Sequence, residues 1–175
     1  MLILIRGAGD IASGIALRLK RAGLDVVMTD LPQPTSIRRT VCFSEAIRNG
    51  TATVEDVTAR RAEVGEVPEV LAAGEIPVLA DPDCACLPAL RPDALVDAVL
   101  AKKNLGTRID MAPIVVAVGP GFTAGGDCHA VVETQRGHYL GRVIRIGSAA
   151  PNSGVPGDIG GYTTERIIRA PRDGL

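Results

Sequence analysis

Residues 2 to 14 read LILIRGAGDIASG, and this stretch decides the fold class. Residues 2–5 are an apolar run that is too short for a helix and rich in strand-forming residues. Glycines follow in quick succession, and from Ile11 to Lys20 the apolar residues recur at helical spacing. The order of strand, Gly-rich turn and helix opens dinucleotide-binding βαβ units. We therefore predict a Rossmann-like α/β domain, whose mainly parallel sheet is flanked by helices and has some antiparallel excursions.

The glycine cluster matches the fingerprint G-x-G-x-x-G/A through Gly7, Gly9 and Ala12. In this fingerprint the first position permits a tight turn, the second lets the backbone approach a phosphate, and the third lets the helix pack on the strand. The free N–H groups and the dipole at a helix start favour an anion. We predict that these three residues, with Ser13 and Gly14, line a phosphate site.

Two aspartates belong to the same predicted site. The second apolar run, residues 24–28, leads to Asp30, about 20 residues beyond Gly9, where dinucleotide sites place the acid that binds the ribose hydroxyls. Asp10 is unusual because it lies where a phosphate would approach. One interpretation is that it caps the helix, since aspartate is a favoured N-cap residue. The other is that it repels a pyrophosphate unless Arg6 neutralises it.

A second Gly-rich stretch, residues 119–127, follows the clearest strand of the second half, residues 114–118. Open α/β sheets bind ligands beyond the carboxyl ends of their strands, so this loop is predicted to cover the other side of the same crevice. The alternative is a tight turn that uses glycines for positive φ. The candidate residues in this loop are Gly119, Gly121, Gly125, Gly126 and Asp127.

The rest of the chain predicts further short elements. Residues 92–99 fit a strand better than a helix, and residues 51–58 fit an edge strand or a hairpin. Ser44 is the expected N-cap of the first short helix, and residues 167–168 are expected in a last strand or helix. The predicted strands are 24–28, 37–43, 51–58, 76–80, 92–99, 114–118, 130–134 and 142–146, and the short helices are 45–48 and 67–73.

Composition narrows the class of protein. A chain of 175 residues with two Phe, two Tyr and no Trp must build its core from aliphatic side chains, which suits buried parallel strands. A net charge of −1 without a basic stripe argues against nucleic-acid binding. We find no apolar run long enough for a membrane span and no signal-peptide pattern. The four cysteines suggest reduced thiols, so we expect a cytoplasmic protein. Residues 1–150 are predicted to form the nucleotide-binding domain, and residues 151–175 a Gly/Pro-rich segment.

The four cysteines suggest reduced thiols rather than a disulfide framework. Cys84 and Cys86 are separated by one residue, and Cys128 precedes His129, with Glu133 close behind. This spacing differs from that of paired zinc ligands, which usually have two to four residues between them. Small buried thiols are therefore favoured over a metal site, and we predict no metal.

Five long motifs together resemble one bacterial family, the selenium-dependent molybdenum hydroxylase system proteins, which are also described as molybdenum-cofactor maturation or biosynthesis proteins. A more distant similarity is to the xanthine dehydrogenase accessory factor. The resemblance covers nearly the whole chain. The motifs are RGAGDIASGIALRL (6–19), VVMTDLPQPTSIRRTVCFSEAI (26–47), DALVDAVLAKKNLGT (93–107), VAVGPGFTAGGDCHAVVETQRGH (116–138) and GSAAPNSGVPGDIGGY (147–162).

The resemblance implies an accessory factor that works with a molybdenum hydroxylase or its maturation machinery. Its ligand would be NAD(P), another nucleotide or a molybdopterin-type molecule. The family typically continues beyond this chain, and residues 170–174 resemble the start of a small biotinyl- or lipoyl-like β module. Two alternatives stay open: an NAD(P)-dependent oxidoreductase with His129 or Lys103 as proton donor, and a structural partner with an empty turn. A homodimer is the base-rate expectation.

Overall fold

The computed structural model describes residues 1–168 and 171–172, and in these residues nine strands form one sheet with four α-helices around it. The strands are β1 (Leu2–Arg6), β2 (Asp25–Thr29), β3 (Thr51–Val54), β4 (Val57–Arg61), β5 (Ile76–Leu79), β6 (Ala94–Asp97), β7 (Ile114–Val118), β8 (Ala130–Val132) and β9 (Val143–Ile144). The helices are α1 (Asp10–Arg21), α2 (Glu45–Asn49), α3 (Val67–Ala72) and α4 (Leu87–Leu90).

The strand order is β3-β4-β5-β2-β1-β6-β7-β8-β9. Every pair from β4 to β8 is parallel, and only the outermost pairs, β3 with β4 and β8 with β9, are antiparallel. The central six strands, β5-β2-β1-β6-β7-β8, follow the 3-2-1-4-5-6 order of the Rossmann sheet when they are numbered among themselves. The predicted fold class is therefore confirmed, and the order reverses between β1 and β6.

Helix α1 forms because its buried residues Ala12, Ala16 and Leu17 recur on one face and pack on the sheet. Basic residues occupy its last turn, where they offset the negative end of the helix dipole. Gly23 follows with φ of +81°, and its N–H donates to the carbonyl of Lys20 at 2.9 Å. This left-handed glycine ends the helix and turns the chain into β2.

Alternate residues of the central strands point into two cores on opposite faces of the sheet. On β1, Ile3 and Ile5 pack beneath α1 and α2, whereas Leu4 packs in the core beneath α3. Both phenylalanines are buried, Phe43 in the first core and Phe122 in the second. All other members of both cores are aliphatic residues, Met28 or cysteines, which confirms the expected aliphatic core.

The prediction of a strand over residues 37–43 is wrong. The segment contains a short 3-10 turn, Arg39–Val41, and pairs with no strand in the described part of the chain. Ile37 is 94% exposed, so the apolar residues that suggested a strand do not share one buried face. The N–H of Phe43 donates to the Ser13 hydroxyl at 2.8 Å. The Ser13 side chain of α1 therefore accepts the backbone N–H that a neighbouring strand would accept in a sheet.

The structure also tests three smaller predictions, and they have different outcomes. Ser44 occupies the predicted N-cap position of α2, but its hydroxyl donates to Ser36 Oγ at 3.0 Å and makes no capping bond. Of the two alternatives for residues 51–58, the hairpin is confirmed, and its second strand, β4, continues to Arg61. Ile167 and Ile168 lie in neither strand nor helix, since the short helical turn ends at Arg166. Of the stretch that resembles a β module, residues 170, 173 and 174 lie outside the described residues.

None of the helices in the described ranges is both long enough and apolar enough to cross a membrane. The remaining residues of the predicted C-terminal segment, 151–168, add no strand to the sheet and are mostly exposed. The boundary at residue 150 stays a prediction.

Candidate functional site

A cavity of about 600 Å³ opens at the carboxyl ends of β1, β2, β5 and β6. This position spans the point where the strand order reverses, which is where open α/β sheets bind their ligands. Its walls are the turn between β1 and α1, the segment after β2, the loop after β5 and the loop after β6. Four of the sequence-predicted residues, Gly7, Gly9, Asp10 and Asp30, line this cavity directly.

Gly7 is required by the fold itself. Its φ is +100°, a conformation that side chains disfavour. A Cβ at this position would lie 3.0 Å from the carbonyl carbon and oxygen of Ala98, just beyond β6. The first glycine of the fingerprint therefore permits both the turn and the close approach of β1 and β6.

Gly9 has a different explanation. It is the N-cap of α1 and has an ordinary φ of −70°. Of the described residues, a Cβ at this position would have only Ser36 Oγ within 4 Å, at 3.5 Å, which is a normal van der Waals distance. The protein's own packing thus leaves room for a side chain at Gly9, and that room is part of the cavity.

The start of α1 presents backbone donors at this cavity, as the first turn of any helix does. The Ile11 N–H donates to the Asp10 side chain at 3.0 Å, and the Ala8 N–H donates to Asp30. The N–H groups of Gly9, Asp10 and Ala12 make no hydrogen bond within the described residues. Free N–H groups and the positive end of the helix dipole favour an anion at this edge of the cavity.

Asp30 lies directly after β2 and is half-buried. Its Oδ2 accepts the Ala8 N–H at 2.8 Å and its Oδ1 accepts the Leu31 N–H at 2.7 Å. Burial raises the pKa of Asp30, and the two backbone donors only partly oppose this rise. Each carboxylate oxygen can accept a second hydrogen bond, so the group retains acceptor capacity towards the cavity.

The two interpretations of Asp10 both need correction. Asp10 is the first residue of the helix rather than its cap, and Gly9 occupies the cap position without a side-chain bond. Arg6 does not neutralise it either. The Asp10 carboxylate pairs instead with Arg38, whose side chain is 72% exposed. The negative charge of Asp10, which would repel a phosphate, is therefore balanced by an arginine of the segment after β2.

Arg6 lines the cavity and is buried, and its hydrogen bonds connect three of the cavity walls. Its Nε donates to the Pro82 carbonyl at 3.0 Å, and its Nη2 donates to the Leu105 carbonyl at 2.9 Å. Its Nη1 donates to Thr107 Oγ1 at 2.9 Å and lies 3.5 Å from Asp97 Oδ2. These contacts connect the end of β1 to the loops after β5 and β6.

Sequence reasoning did not assign Asp97 and Thr107 to the site. Both are buried, and the Thr107 hydroxyl donates to Asp97 Oδ2 at 2.5 Å. The sequence does contain a pattern that indicates this pair. The apolar runs of β1 and β6 each end in a charged residue, and the two charges are opposite. Adjacent parallel strands bring such ends together, and the register pairs Arg6 with Asp97.

Three residues of the predicted phosphate site do not line the cavity. Ala12 is fully buried against the sheet, as the fingerprint expects of its third position. The Ser13 hydroxyl donates to the Ala8 carbonyl at 3.3 Å and accepts the Phe43 N–H. Gly14 is exposed on α1. Ser13 therefore connects the turn to the segment before α2.

The second Gly-rich loop is near the cavity but does not line it. Gly119 and Gly121 pack on the loop after β6, at Leu100 and Lys103. Asp127 accepts the backbone N–H of Thr123 at 2.7 Å, inside the loop itself, and Gly125 and Gly126 lie in the same turn. The predicted crevice between the two Gly-rich stretches is thus occupied by the loop after β6.

All four cysteines, Cys42, Cys84, Cys86 and Cys128, are free and buried, and burial raises the pKa of each thiol. His129 Nδ1 accepts a backbone N–H of β7 at 2.9 Å. Within the described residues, no group of three or more His, Cys, Asp and Glu side chains is arranged to bind a metal. The four thiols pack inside the protein, whereas His129 is exposed and its ring accepts a hydrogen bond from the backbone.

Comparison with known proteins gives one curated relative in Escherichia coli (strain K12), named "Uncharacterized protein YqeB". The two are 58% identical over 175 residues, which cover 99% of this chain but 32% of the relative. The chain therefore spans about a third of the length of the curated relative it matches. No family model matches the chain. No solved structure matches it either.

Proposed function

We propose that this chain binds a nucleotide in the cavity between β1 and β6. The phosphate would lie at the start of α1, against the free N–H groups near Gly9, and the ribose hydroxyls would donate to Asp30. The observation that carries the proposal is Gly9. None of the described residues would clash with a side chain there, whereas a phosphate held close to the backbone would exclude one.

The biological role we propose is that of an accessory or maturation factor of a molybdenum hydroxylase system in the cytoplasm. The support for this role is the resemblance of the five long motifs. The ligand classes that follow are NAD(P), another nucleotide or a molybdopterin-type molecule. The partner would be the hydroxylase or its maturation machinery, and neither nucleic acid nor a membrane would be bound. Selenium dependence and a homodimer stay predictions.

No observation favours the oxidoreductase alternative. Neither His129 nor Lys103, the two candidate proton donors, lines the cavity. An accessory factor is expected to bind its ligand without consuming it, so chromatography of NAD after incubation with the protein should recover it unchanged. Accumulation of the reduced cofactor with a substrate would favour the oxidoreductase instead.

The experiment that tests binding is a melting-temperature panel with AMP, NAD, NADP, FAD, CTP and a pterin. A ligand bound only by the folded state at 100 times its Kd stabilises that state by about 2.7 kcal/mol. We expect at least one nucleotide to raise the melting temperature. If the folded protein shows no shift with any of them, the nucleotide proposal is wrong.

A matched pair of variants locates the site. Gly9→Val should abolish the shift, because its side chain would occupy the space next to the helix start. Gly65→Val is the control, since Gly65 is exposed, a Cβ added there would meet no atom of the described residues within 4 Å, and the residue lies outside the cavity. The control should keep the shift. A shift that survives in Gly9→Val would place the ligand elsewhere.

A further inference from the structure

We infer that the cavity accepts one nucleotide rather than a dinucleotide, because the chain's own segment 98–107 fills the place where a second nucleotide would lie. This inference rests on the proposed function and narrows its ligand class to a single nucleoside phosphate with a free ribose diol. Three independent features of the second half of the sheet support it.

The first feature is where the cavity ends. A Rossmann sheet consists of two mononucleotide-binding halves, and a dinucleotide extends across both. Here the first half is β1, β2 and β5, and the second half is β6, β7 and β8. The cavity is lined by the ends of the first half and by the loop after β6, through Ala98, Val99, Leu100 and Leu105. Among the residues that the structure describes, none that follows β7 or β8 lines it.

The second feature is the contact beyond that wall. A Cβ on Gly121 would lie 2.5 Å from the Cα of Lys103 and 2.7 Å from its nitrogen. A Cβ on Gly119 would lie 3.0 Å from Leu100 Cδ2 and 2.9 Å from Thr134 Oγ1. Because even one methyl group does not fit, no ligand fits between segment 98–107 and the loop after β7.

Segment 98–107 is also held firmly in this position. Asn104 Nδ2 donates to the Thr107 carbonyl at 2.8 Å, and the N–H groups of Gly106 and Thr107 both donate to Asn104 Oδ1 at 2.8 Å. Buried Arg6 and Asp97 then bind the segment to the sheet through Leu105 and Thr107. Moving it aside would break a buried, fully paired polar network.

The third feature is the absence of a second phosphate-binding turn. Residues 98–113 connect β6 to β7 and residues 119–129 connect β7 to β8, and neither stretch, both of which the structure describes, contains a helix. The first half has α1 to present N–H groups to a phosphate. The second half has no such helix start.

The test compares each dinucleotide with its own mononucleotide by titration calorimetry on the intact chain. We expect AMP, NAD and FAD to bind with dissociation constants within about threefold of one another, because the second half of each dinucleotide would remain in solvent. A dinucleotide that binds at least tenfold more tightly than AMP, about 1.4 kcal/mol, would overturn the inference and leave nucleotide binding intact. Binding of none of the three, and no shift in the melting panel, would contradict the proposed function itself.

Hydrogen exchange gives a second readout that needs no variant. NAD and AMP should protect the same amides, those of residues 7–12 and 30–31. Protection of residues 119–129 by NAD but not by AMP would show that the second half is occupied, and the inference would then be wrong.

A matched glycine pair tests the packing premise. Gly121→Ala and Gly125→Ala both place a side chain at positive φ, +106° and +90°, so their backbone strain is similar. Of the two, only Gly121 has a neighbour within 4 Å of an added Cβ. The Gly121 variant should therefore melt about 5 °C or more below the Gly125 variant. Equal melting temperatures would contradict the close packing of segment 98–107.

Discussion

At the scale of single residues, the site depends on how a few charges are balanced. Arg6 and Asp97 form a buried pair with Thr107 between them, and Arg38 balances Asp10 at the helix start. A buried charge is stable only when it is paired and hydrogen-bonded. The first pair builds the cavity wall and the second leaves the helix start able to accept an anion.

Removing one member of the buried pair should be costly. Arg6→Met leaves the Asp97 carboxylate buried without its cationic partner, so we expect unfolding in urea to show a loss of about 3–5 kcal/mol. The double variant Arg6→Met/Asp97→Leu removes both charges and should recover much of that loss. A single variant as stable as the parent protein would mean that the pair contributes nothing to the fold.

The pKa of Asp30 predicts opposite pH trends for the free and the bound protein. Burial raises the pKa of Asp30 in the folded state, so ionisation destabilises the fold, and the stability of the free protein should decrease as pH rises through and above the ordinary aspartate pKa of about 3.9. Nucleotide affinity should increase over the same pH range, because ribose hydroxyls donate best to a carboxylate.

Asp30→Asn is the control for this prediction, since Asp10 and Asp83 also line the cavity. The variant should lose the part of each pH trend that belongs to Asp30. Melting curves and nucleotide titrations between about pH 3.5 and 7 provide the measurement. If the variant and the parent protein show identical pH profiles, Asp30 does not titrate at the site.

At the scale of elements, prediction from the sequence worked where a segment's own pattern decides its structure. Helix α1 and the central strands were predictable because each combines a clear period with turn signals at both ends. Residues 37–43 were predicted wrongly, because the segment forms a turn and the N–H of Phe43 donates to Ser13 of α1, a contact that no local pattern contains. Short elements depend on such tertiary contacts more than long ones do.

Glu133 has a structural role next to β8 that the sequence did not predict. It follows β8 and is buried, and its carboxylate accepts the N–H groups of Thr134, Gln135 and Ala150 at 2.7–2.8 Å. It therefore fixes the segment near Ala150 to the edge of the sheet. Burial opposes ionisation of Glu133, but the three donors outweigh it and lower its pKa.

Glu133→Gln keeps the shape of the side chain and removes its charge. We expect a loss of about 1.5–3 kcal/mol at neutral pH by urea unfolding. Because the folded pKa is lowered, the stabilisation is present above the ordinary glutamate pKa of about 4.3 and disappears as pH falls through the folded value. The exposed Glu69→Gln should change stability by less than about 0.5 kcal/mol. Equal effects of the two variants would contradict this role of Glu133.

At the scale of the whole molecule, the sheet separates two cores, and three of the four cysteines, Cys84, Cys86 and Cys128, belong to the core beneath α3. Cys42 is buried near α2. Burial raises the pKa of every thiol, so little thiolate is present at neutral pH. Thiol reactivity therefore reports on the integrity of the whole fold.

We predict that a thiol reagent added at neutral pH reacts slowly with the native protein and rapidly with all four cysteines in denaturant. The measurement is the absorbance of the released chromophore over time, with and without urea. A nucleotide that stabilises the folded state should slow the native reaction further. A cysteine that reacts at once in the native protein would contradict its burial.

Period and spacing are local properties of the chain, so the residues alone predict the strand, turn and helix at 2 to 14 and the position of Asp30 after β2. Which charges meet, Arg6 with Asp97 and Arg38 with Asp10, depends on tertiary contacts. The tertiary structure also decided that the loop at 119–127 packs on segment 98–107 instead of facing the cavity. The physical reason is that these contacts join segments distant in the chain, and their distances depend on how the whole sheet packs.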